Sequence, residues 1–153
     1  AMLAALLLGP LNSFLIMCVV LLIQCLGFAD GGLTALGSNI FNMGIVGGIV
    51  SYGAFVALRA AAPKNRAGFL FAAGAASWLS IVLASAACAV ELGLSGTIPL
   101  KVALPAMAGI HTLIGIGEAL ITTAVISVVL GMRPDLVQAW RPAADGVKKE
   151  ITA

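Results

Sequence analysis

The sequence predicts an all-α protein, a polytopic bundle of transmembrane helices. Of its 153 residues, 61% are hydrophobic and only 9% are charged, whereas a soluble domain has roughly 45–50% and 25%. Several apolar stretches also reach the roughly 17–25 residues that a helix needs to cross the hydrocarbon core of a membrane. The net charge of +2 is small and scattered, so a lipid bilayer and not a nucleic acid is the expected surrounding.

Turn signals divide the apolar sequence into one short helix and four complete spans. Residues 1–8 are too short to cross a membrane, and Gly9-Pro10 ends them because a helix usually stops before a proline. We expect this stretch to be the end of a longer helix whose first part precedes residue 1. Four stretches have the length of a span, namely residues 11–28, 39–62, 67–92 and 106–130.

The connections between spans are expected to be short and rich in breakers. Gly31-Gly32 follows the first span, and Gly37-Ser38-Asn39 is expected to interrupt the chain again, which leaves residues 33–36 as a brief turn that dips without crossing. A polar loop at residues 63–66 follows the second span. Two prolines within residues 93–105 predict a longer loop before the last span.

Small residues indicate which helix faces pack closely in the membrane. Gly44 and Gly48 form a small-xxx-small pair, which lets two helix backbones approach each other. We therefore predict a packing role for both glycines. A second stripe recurs at every fourth position of the third span, at Ala72, Ala76, Ser80, Ala84 and Cys88.

The basic residues predict the orientation of the bundle. Residues 59–66 and 133–149 hold seven of the eight Lys and Arg residues, and two spans separate these clusters, so both lie on the same side. The positive-inside rule makes that side cytoplasmic. Residues 137–153 are accordingly predicted to form a cytoplasmic polar tail, and Lys101 lies on the opposite side.

Polar side chains gather at the outer ends of the predicted helices. At membrane depth such groups usually face the bundle interior or a watery cavity, and they mark a substrate path. The sequence therefore predicts an outward-facing binding site. Its members are Gln24, Asp30, Asn39, Asn42, Glu91 and His111.

His111 and Glu118 are seven residues apart, which places them on nearly the same face of one helix. The pair could supply one nitrogen and one oxygen ligand to a metal. In the alternative interpretation His111 donates to a backbone carbonyl and Glu118 pairs within the bundle, while Asn39 and Asn42 cap helix ends. No set of three or four ligands occurs at a recognised motif spacing.

Motifs of enzymes are missing from the sequence. It contains no His-Glu-x-x-His, no Gly-x-Ser-x-Gly, no phosphate-binding loop and no paired catalytic carboxylates. A catalytic role is not expected. Cys18, Cys25 and Cys88 lie inside apolar runs without the close pairing of a zinc or redox motif, and we interpret them as small buried residues.

Four segments carry a resemblance to a known family. They read FADGGLTALGSNIFNMG at residues 28–44, ELGLSGTIP at 91–99, GIHTLIGIGEALIT at 109–122 and RPDL at 133–136. These segments resemble the CbiM/NikM family of membrane subunits that capture cobalt or nickel for energy-coupling-factor transporters. The resemblance runs from residue 1 to about residue 136.

The resemblance implies a function, partners and a location. The chain would be the substrate-binding membrane subunit of an importer of Co²⁺ or Ni²⁺ that feeds cobalamin biosynthesis, with cobalt slightly favoured because the short tail shows no additional domain. Its partners would be a transmembrane coupling subunit, ATPase subunits and a small accessory membrane subunit, in the cytoplasmic (inner) membrane of a bacterium or archaeon. The chain itself would hold no cofactor.

In that family the main ligands come from an amino-terminal Met-His pair and from a histidine just before the sequence that matches residue 1. His111 is therefore expected to support the metal site from behind the ligands, with direct ligation as the alternative. The substrate path would include Gln24, Asn39, Asn42, Glu91 and Glu118.

Two other functions are considered. A vitamin-capture subunit of the same transporter class would need aromatic residues to enclose an organic ligand, and the aromatic content of 6% argues against it. A membrane scaffold without transport activity would be favoured only if the outer polar cluster were inaccessible to solvent.

Overall fold

The computed structural model describes residues 1–29 and 31–140, so residues 141–153 of the predicted tail lie outside the described part. Four stretches are long and apolar enough to cross a membrane, and no strand occurs in this part of the chain, so the predicted all-α transmembrane bundle is confirmed. The elements are α1 (Met2–Leu8), α2 (Pro10–Phe28), α3 (Gly32–Asn39), a π segment (Ile40–Val50), α4 (Ser51–Ala61), α5 (Arg66–Leu94), α6 (Leu100–Met132) and a 3₁₀ turn (Pro134–Leu136).

A sharp break at Gly9 separates α1 from α2, where the sequence places it. The backbone of Gly9 has φ 87°, which favours glycine, and a Cβ atom there would lie 2.5 Å from the Oε1 atom of Gln138. Pro10 then opens α2 at the first helical position, where its missing N–H costs no hydrogen bond. Glycine is therefore required at this break by both its backbone conformation and its surroundings.

The expected interruption at Gly37-Ser38-Asn39 is wrong. The structure has one continuous helical stretch, Gly32–Ala61, of 30 residues that passes through all three. Glycine and serine are weak helix breakers in a membrane helix, because each backbone group that left the helix would need another partner in lipid. The second membrane span therefore begins at Gly32, seven residues before the predicted start at residue 39.

The π segment is the unusual part of this continuous helix. At its end the N–H of Ser51 reaches the carbonyl of Val46, five residues back, and the Ser51 hydroxyl donates to the same oxygen at 2.9 Å. A π-helix is usually confined to a single turn. Close packing accompanies this one, because the Ser80 hydroxyl of α5 donates to the Gly47 carbonyl at 2.5 Å.

Helix α5 lies at the centre and presents its small residues to its neighbours. Ala72, Ala76 and Ser80 of the predicted stripe are buried, which agrees with a packing role. Helix α6 runs antiparallel beside α5. Cross-helix hydrogen bonds set their register. The Ser77 and Thr122 hydroxyls lie 2.9 Å apart, Trp78 Nε1 donates to the Thr112 carbonyl at 3.1 Å, and Arg66 donates to the Ser127 carbonyl at 2.8 Å.

Helix α6 begins at Leu100, six residues before the predicted start of the last span, so the loop before it is shorter than expected. Pro99 precedes the first helical residue with φ −57°, a value that suits the entry into a helix. Pro105 lies inside the helix. Its missing N–H leaves only the carbonyl of Lys101 without a helical donor, and Lys101 is exposed near the helix start.

The first residues of the predicted polar tail, 137–153, belong to the packed bundle instead. The N–H groups of Gln138 and Ala139 donate to the carbonyls of Leu7 and Leu6 at 3.1 and 3.0 Å. The last carbonyls of a helix have no donor within the helix, so these two bonds complete the end of α1. Residues 138 and 139 of the predicted tail therefore pack against α1.

Apolar contacts hold the same segment in place. Val137 is 1% exposed, and the Trp140 ring meets the Phe69 ring edge-to-face with centroids 5.0 Å apart. Phe55 also meets the Phe69 ring edge-to-face, with centroids 5.5 Å apart, and the Arg59 guanidinium lies 5.9 Å from the centroid of the Phe69 ring. Two apolar residues in a polar stretch are thus enough to fasten it to the core.

Basic residues collect at one end of the bundle, which we call the basic end and define by Arg59, Lys64, Arg66 and Arg133. Arg133 forms an ion pair with Asp135 at 2.7 Å, and both side chains are exposed. The hydrogen bond from Arg133 lowers the pKa of Asp135 below its usual value. Because the pair is fully solvated, it contributes little to stability.

The packing role of Gly44 and Gly48 generates the first testable prediction. Both are buried, and a Cβ atom at Gly44 would lie 3.0 Å from the Phe14 ring, whereas one at Gly48 would meet its nearest atoms at 3.9 Å. We expect Gly44→Leu and, to a smaller extent, Gly48→Leu to lower the yield of folded full-length protein in detergent. Overpacking of this kind costs about 1–3 kcal/mol.

Gly53→Leu on the neighbouring helix α4 is the matched control. Gly53 is exposed, and a Cβ atom added there would have no neighbour within 4 Å, so this change should leave the yield unaltered. Equal yields for Leu at positions 44 and 53, measured by size-exclusion chromatography, would show that Gly44 does not mediate helix packing.

Candidate metal-binding cavity

A cavity of about 220 Å³ lies between the α3–π stretch, α5 and α6, at the end of the bundle opposite to the basic end. The small side chains of Ala84 and Ser85 on α5 leave this space open. We call it the outer cavity. Six residues that line it carry an amide, an imidazole or a sulfur atom in the side chain. They are Asn39, Asn42, Met43, Cys88, Met107 and His111.

The ring of His111 is oriented by its own helix. Its Nδ1 atom lies 2.7 Å from the carbonyl oxygen of Met107, and since a carbonyl only accepts, Nδ1 carries the proton. The neutral tautomer therefore leaves a lone pair on Nε2 in a residue that lines the outer cavity. The hydrogen bond from His111 to a backbone carbonyl, the alternative to metal ligation, is therefore made by Nδ1. It does not exclude ligation of a metal by Nε2.

His111 lies deeper along its helix than expected. The sequence places it about one turn inside the outer helix end, but α6 begins at Leu100, eleven residues earlier. At a rise of 1.5 Å per residue this corresponds to roughly 16 Å. The physical reason is that the helix begins before Pro105 and not after it.

Asn42 connects the outer cavity to α5. Its side chain is 4% exposed, and its Nδ2 donates to the Glu91 carboxylate at 2.9 Å. Its Oδ1 atom is buried and has no hydrogen-bond partner among the described residues. A buried acceptor without a donor is uncommon in a folded protein and calls for a partner. Asn42 thus lines the outer cavity while its own acceptor stays covered and unsatisfied.

The structure brings together some of the predicted site residues and separates others. Asn39, Asn42 and His111 share the outer cavity, and Glu91 joins them through Asn42. Gln24 lines a different, open pocket beside Phe28, Ala29 and Gly31. Asp30 lies outside the described residues.

Glu118 lines none of these pockets. Within the described part of the chain its carboxylate accepts no side-chain hydrogen bond, and only its backbone carbonyl is contacted, by the Ser77 hydroxyl at 3.4 Å. The expected pairing of Glu118 within the bundle is therefore not found there.

No group of three or more His, Cys, Asp or Glu side chains that could hold a metal occurs in residues 1–29 and 31–140.

Three sulfur-containing residues of the outer cavity are not apparent from the sequence. Met43, Cys88 and Met107 line it, although the stripe of small residues gives Cys88 only a packing role. Helical spacing offers a signal, because Met107 precedes His111 by four residues and Cys88 precedes Glu91 by three, which places each pair on one helix face. Methionine and cysteine are common in apolar cores, so this signal alone is weak.

The fold and the cavity define a polytopic membrane protein with an imidazole nitrogen and an amide oxygen at an end cavity, the ligand types that suit late first-row transition metals. Residues 1–136 match the family described as the cobalt uptake substrate-specific transmembrane region, CbiM. The chain belongs to the CbiM family.

Curated relatives agree with this assignment. The NikMN protein of Archaeoglobus fulgidus is 45% identical over 138 residues, which cover 89% of this chain and 45% of the relative. The cobalt transport protein CbiM of Sorangium cellulosum is 37% identical, over 88% of this chain and 61% of the relative. The chain thus spans about half the length of the curated relatives it matches.

A solved structure has the same fold. The crystal structure of a transition metal transporter superimposes with a TM-score of 0.78 at 32% identity, and the match covers 86% of this chain and 62% of that one. The resemblance in the sequence is therefore confirmed by the family, by curated relatives and by the fold.

The hydrogen bond between Asn42 and Glu91 generates the second prediction. Asn42→Asp should lower the melting temperature of the full-length protein, because it replaces the donor with a carboxylate beside a carboxylate. Loss of a hydrogen bond to a charged group costs about 1.5–3 kcal/mol. Adding Glu91→Gln should restore most of the loss, since the new amide can donate to the aspartate.

Asn39→Asp is the control, because Asn39 lines the same cavity without a side-chain hydrogen bond to a carboxylate in the described residues. Thermal unfolding followed by circular dichroism in detergent provides the measurement. If the double variant is no more stable than Asn42→Asp alone, the bond does not hold the π segment to α5.

Proposed function

We propose that this chain is part of the substrate-capture subunit of a cobalt or nickel importer, and that the outer cavity lies on the path of the ion. The observation that carries this proposal is the cavity wall itself. It combines a histidine whose Nδ1 is held by the Met107 carbonyl, so that Nε2 is the ring nitrogen left for a metal ion, with a buried asparagine whose Oδ1 has no partner among the described residues. Both residues line the same cavity.

The ligand chemistry fits Co²⁺ and Ni²⁺ better than harder ions. Neutral imidazole suits the later transition metals, whereas magnesium and calcium sites are built from several carboxylate and carbonyl oxygens. One histidine and one asparagine are too few to hold a dication tightly. His111 therefore acts in support of ligands that the family resemblance places before residue 1, and Glu91 contributes indirectly, through its hydrogen bond with Asn42.

The proposal includes the partners implied by the family. The chain would work with a transmembrane coupling subunit, ATPase subunits and a small accessory membrane subunit in the cytoplasmic membrane of a bacterium or archaeon. Hydrolysis of ATP would take place on those partners, and this chain would act as a transporter component without enzyme activity or a resident cofactor. Co²⁺ or Ni²⁺ would be its cargo.

The geometry disfavours the two other functions considered. Pockets for organic ligands usually measure about 300–1,000 Å³ and are rich in aromatic side chains. The outer cavity has about 220 Å³, and none of the described residues that line it is Phe, Trp or Tyr. A scaffold with a sealed polar cluster is disfavoured because Asn39 and His111 are partly exposed.

His111→Ala tests the proposed ion path. In the full-length protein with its partners, this change should reduce cobalt or nickel uptake by about 10–100-fold, as expected for a residue that positions ligands, while loss of a direct ligand should come closer to abolishing binding. Assembly with the coupling subunit should be unaltered. Glu118→Gln is the comparison, since Glu118 lies outside the cavity and should alter folding or coupling with little effect on metal affinity.

Metal titration of the two purified variants separates binding from coupling. Wild-type affinity in His111→Ala would remove this residue from the ion path. A loss of affinity in Glu118→Gln equal to that in His111→Ala would show that the outer cavity is not the determining site.

The orientation is tested by labelling with a membrane-impermeant maleimide. Lys64→Cys at the basic end should react only when the cytoplasmic side is accessible, in inverted vesicles, because the positive-inside rule places the basic end in the cytoplasm. Lys101→Cys at the other end should react in intact cells. Both lysines are exposed, so they form a matched pair. The reverse pattern would invert the proposed topology.

A further inference from the structure

The outer cavity carries a set of sulfur donors that the proposed function leaves unexplained. Each of the three helical stretches around it contributes one sulfur atom: Met43 from the π segment, Cys88 from α5 and Met107 from α6. Cys88 is a free thiol. The histidine Nε2 that keeps its lone pair lines the same space, so one cavity combines two thioethers, one thiol and one imidazole.

The outer cavity, with a volume of about 220 Å³, has room for one ion and its ligands. Metal–sulfur bonds are about 2.3 Å long, so two sulfur ligands of one ion lie roughly 4–4.5 Å apart. Methionine has three rotatable bonds and adapts to irregular gaps. Binding of one ion therefore requires Met43 and Met107 to turn their flexible side chains toward Cys88.

We propose that the outer cavity binds a soft monovalent cation, of the class of Cu(I) and Ag(I), through Met43, Cys88 and Met107, with His111 as a further ligand. Soft thioether and thiolate donors select Cu(I)-type ions, whereas Co²⁺ and Ni²⁺ are well served by nitrogen. When the ion binds, the Cys88 thiol releases its proton to solvent and its sulfur forms the bond. The oxidation state of the metal does not change.

Charge balance also favours a monovalent ion. One thiolate and one monovalent cation form a neutral complex, which avoids the large cost of a net charge in an apolar cavity. The nearby Glu91 carboxylate is bonded to Asn42 and does not line the cavity. Asn42 lines the cavity, but its Oδ1 is covered by neighbouring atoms, so it is not counted among the ligands.

This inference uses the outer cavity but does not require that the protein transports cobalt or nickel. If both proposals hold, a soft cation occupies the ion path and blocks uptake. Binding of a soft cation can be measured directly, whether or not cobalt or nickel uptake is observed. The soft-cation site and the proposed import function can therefore be contradicted independently of each other.

The experiment is a calorimetric titration of the full-length protein with silver nitrate in chloride-free buffer. Cys18→Ala and Cys25→Ala are introduced first to remove the other thiols of this region. We expect tight binding of one Ag⁺ at the outer cavity. Met43→Leu and Met107→Leu keep the side-chain volume and remove the thioether, and each should weaken binding by at least about tenfold.

Met17→Leu is the matched control, because Met17 is a buried methionine of α2 that does not line the cavity. It should leave the affinity unchanged. Unchanged affinity in both cavity variants would mean that silver is held by the Cys88 thiol alone, and this would overturn the proposal, as would the absence of binding.

X-ray absorption at the silver edge gives a second measurement that does not depend on any variant being folded. The wild-type complex should show three sulfur neighbours. A single sulfur neighbour contradicts the site. Cobalt uptake that is inhibited by Ag⁺ in the wild type and resistant in Met107→Leu would connect the soft site with the ion path.

Discussion

Helices in lipid approach one another only as closely as the side chains between them allow, since lipid provides no hydrophobic force that drives them together. In this bundle the side chains of α5 determine how closely its neighbours approach. Its small residues, including Ala76 and Ser80, bring the π segment and α6 close enough for hydroxyl groups to bond across the helix boundaries. The outer cavity depends on the same face, because Ala84 continues the small residues to where the neighbours leave space.

Most of the fold can be predicted from the sequence, because length and hydrophobicity determine a membrane span. The errors occur where rules for water-soluble chains are applied to this environment. Gly37-Ser38-Asn39 and Pro105 would end a helix in water, yet the structure continues through both. Backbone N–H and C=O groups without a hydrogen bond are costly in lipid, so a membrane helix continues through residues that would end it in water. The contact of Gln138 and Ala139 with α1 has another reason for escaping prediction, since the need of the α1 carbonyls for donors is visible only in three dimensions.

The candidate site is predictable only in its polar part. Asn39, Asn42 and His111 stand out because polar residues are rare in membrane helices and their position in the topology places them at one end. Their sulfur-bearing neighbours do not stand out, since Met43 and Met107 are ordinary apolar residues in an apolar sequence. Whether such a residue lines a cavity depends on how its helix is rotated about its axis. For Met43 the rotation cannot be inferred from α-helical spacing, because this residue lies in the π segment.

That departure connects the packing of the bundle with the chemistry of the cavity. A π-helix has more residues per turn than an α-helix, so the side chains before α4 point in directions that α-helical spacing would not produce. The π segment places Gly47 against Ser80 of α5 and also brings Asn42 to Glu91 and to the cavity wall. In an α-helix of the same residues these two contacts would fall on different faces. The glycine-rich sequence is therefore needed twice, since it permits the close approach to α5 and tolerates the helical geometry that turns Asn42 toward the outer cavity.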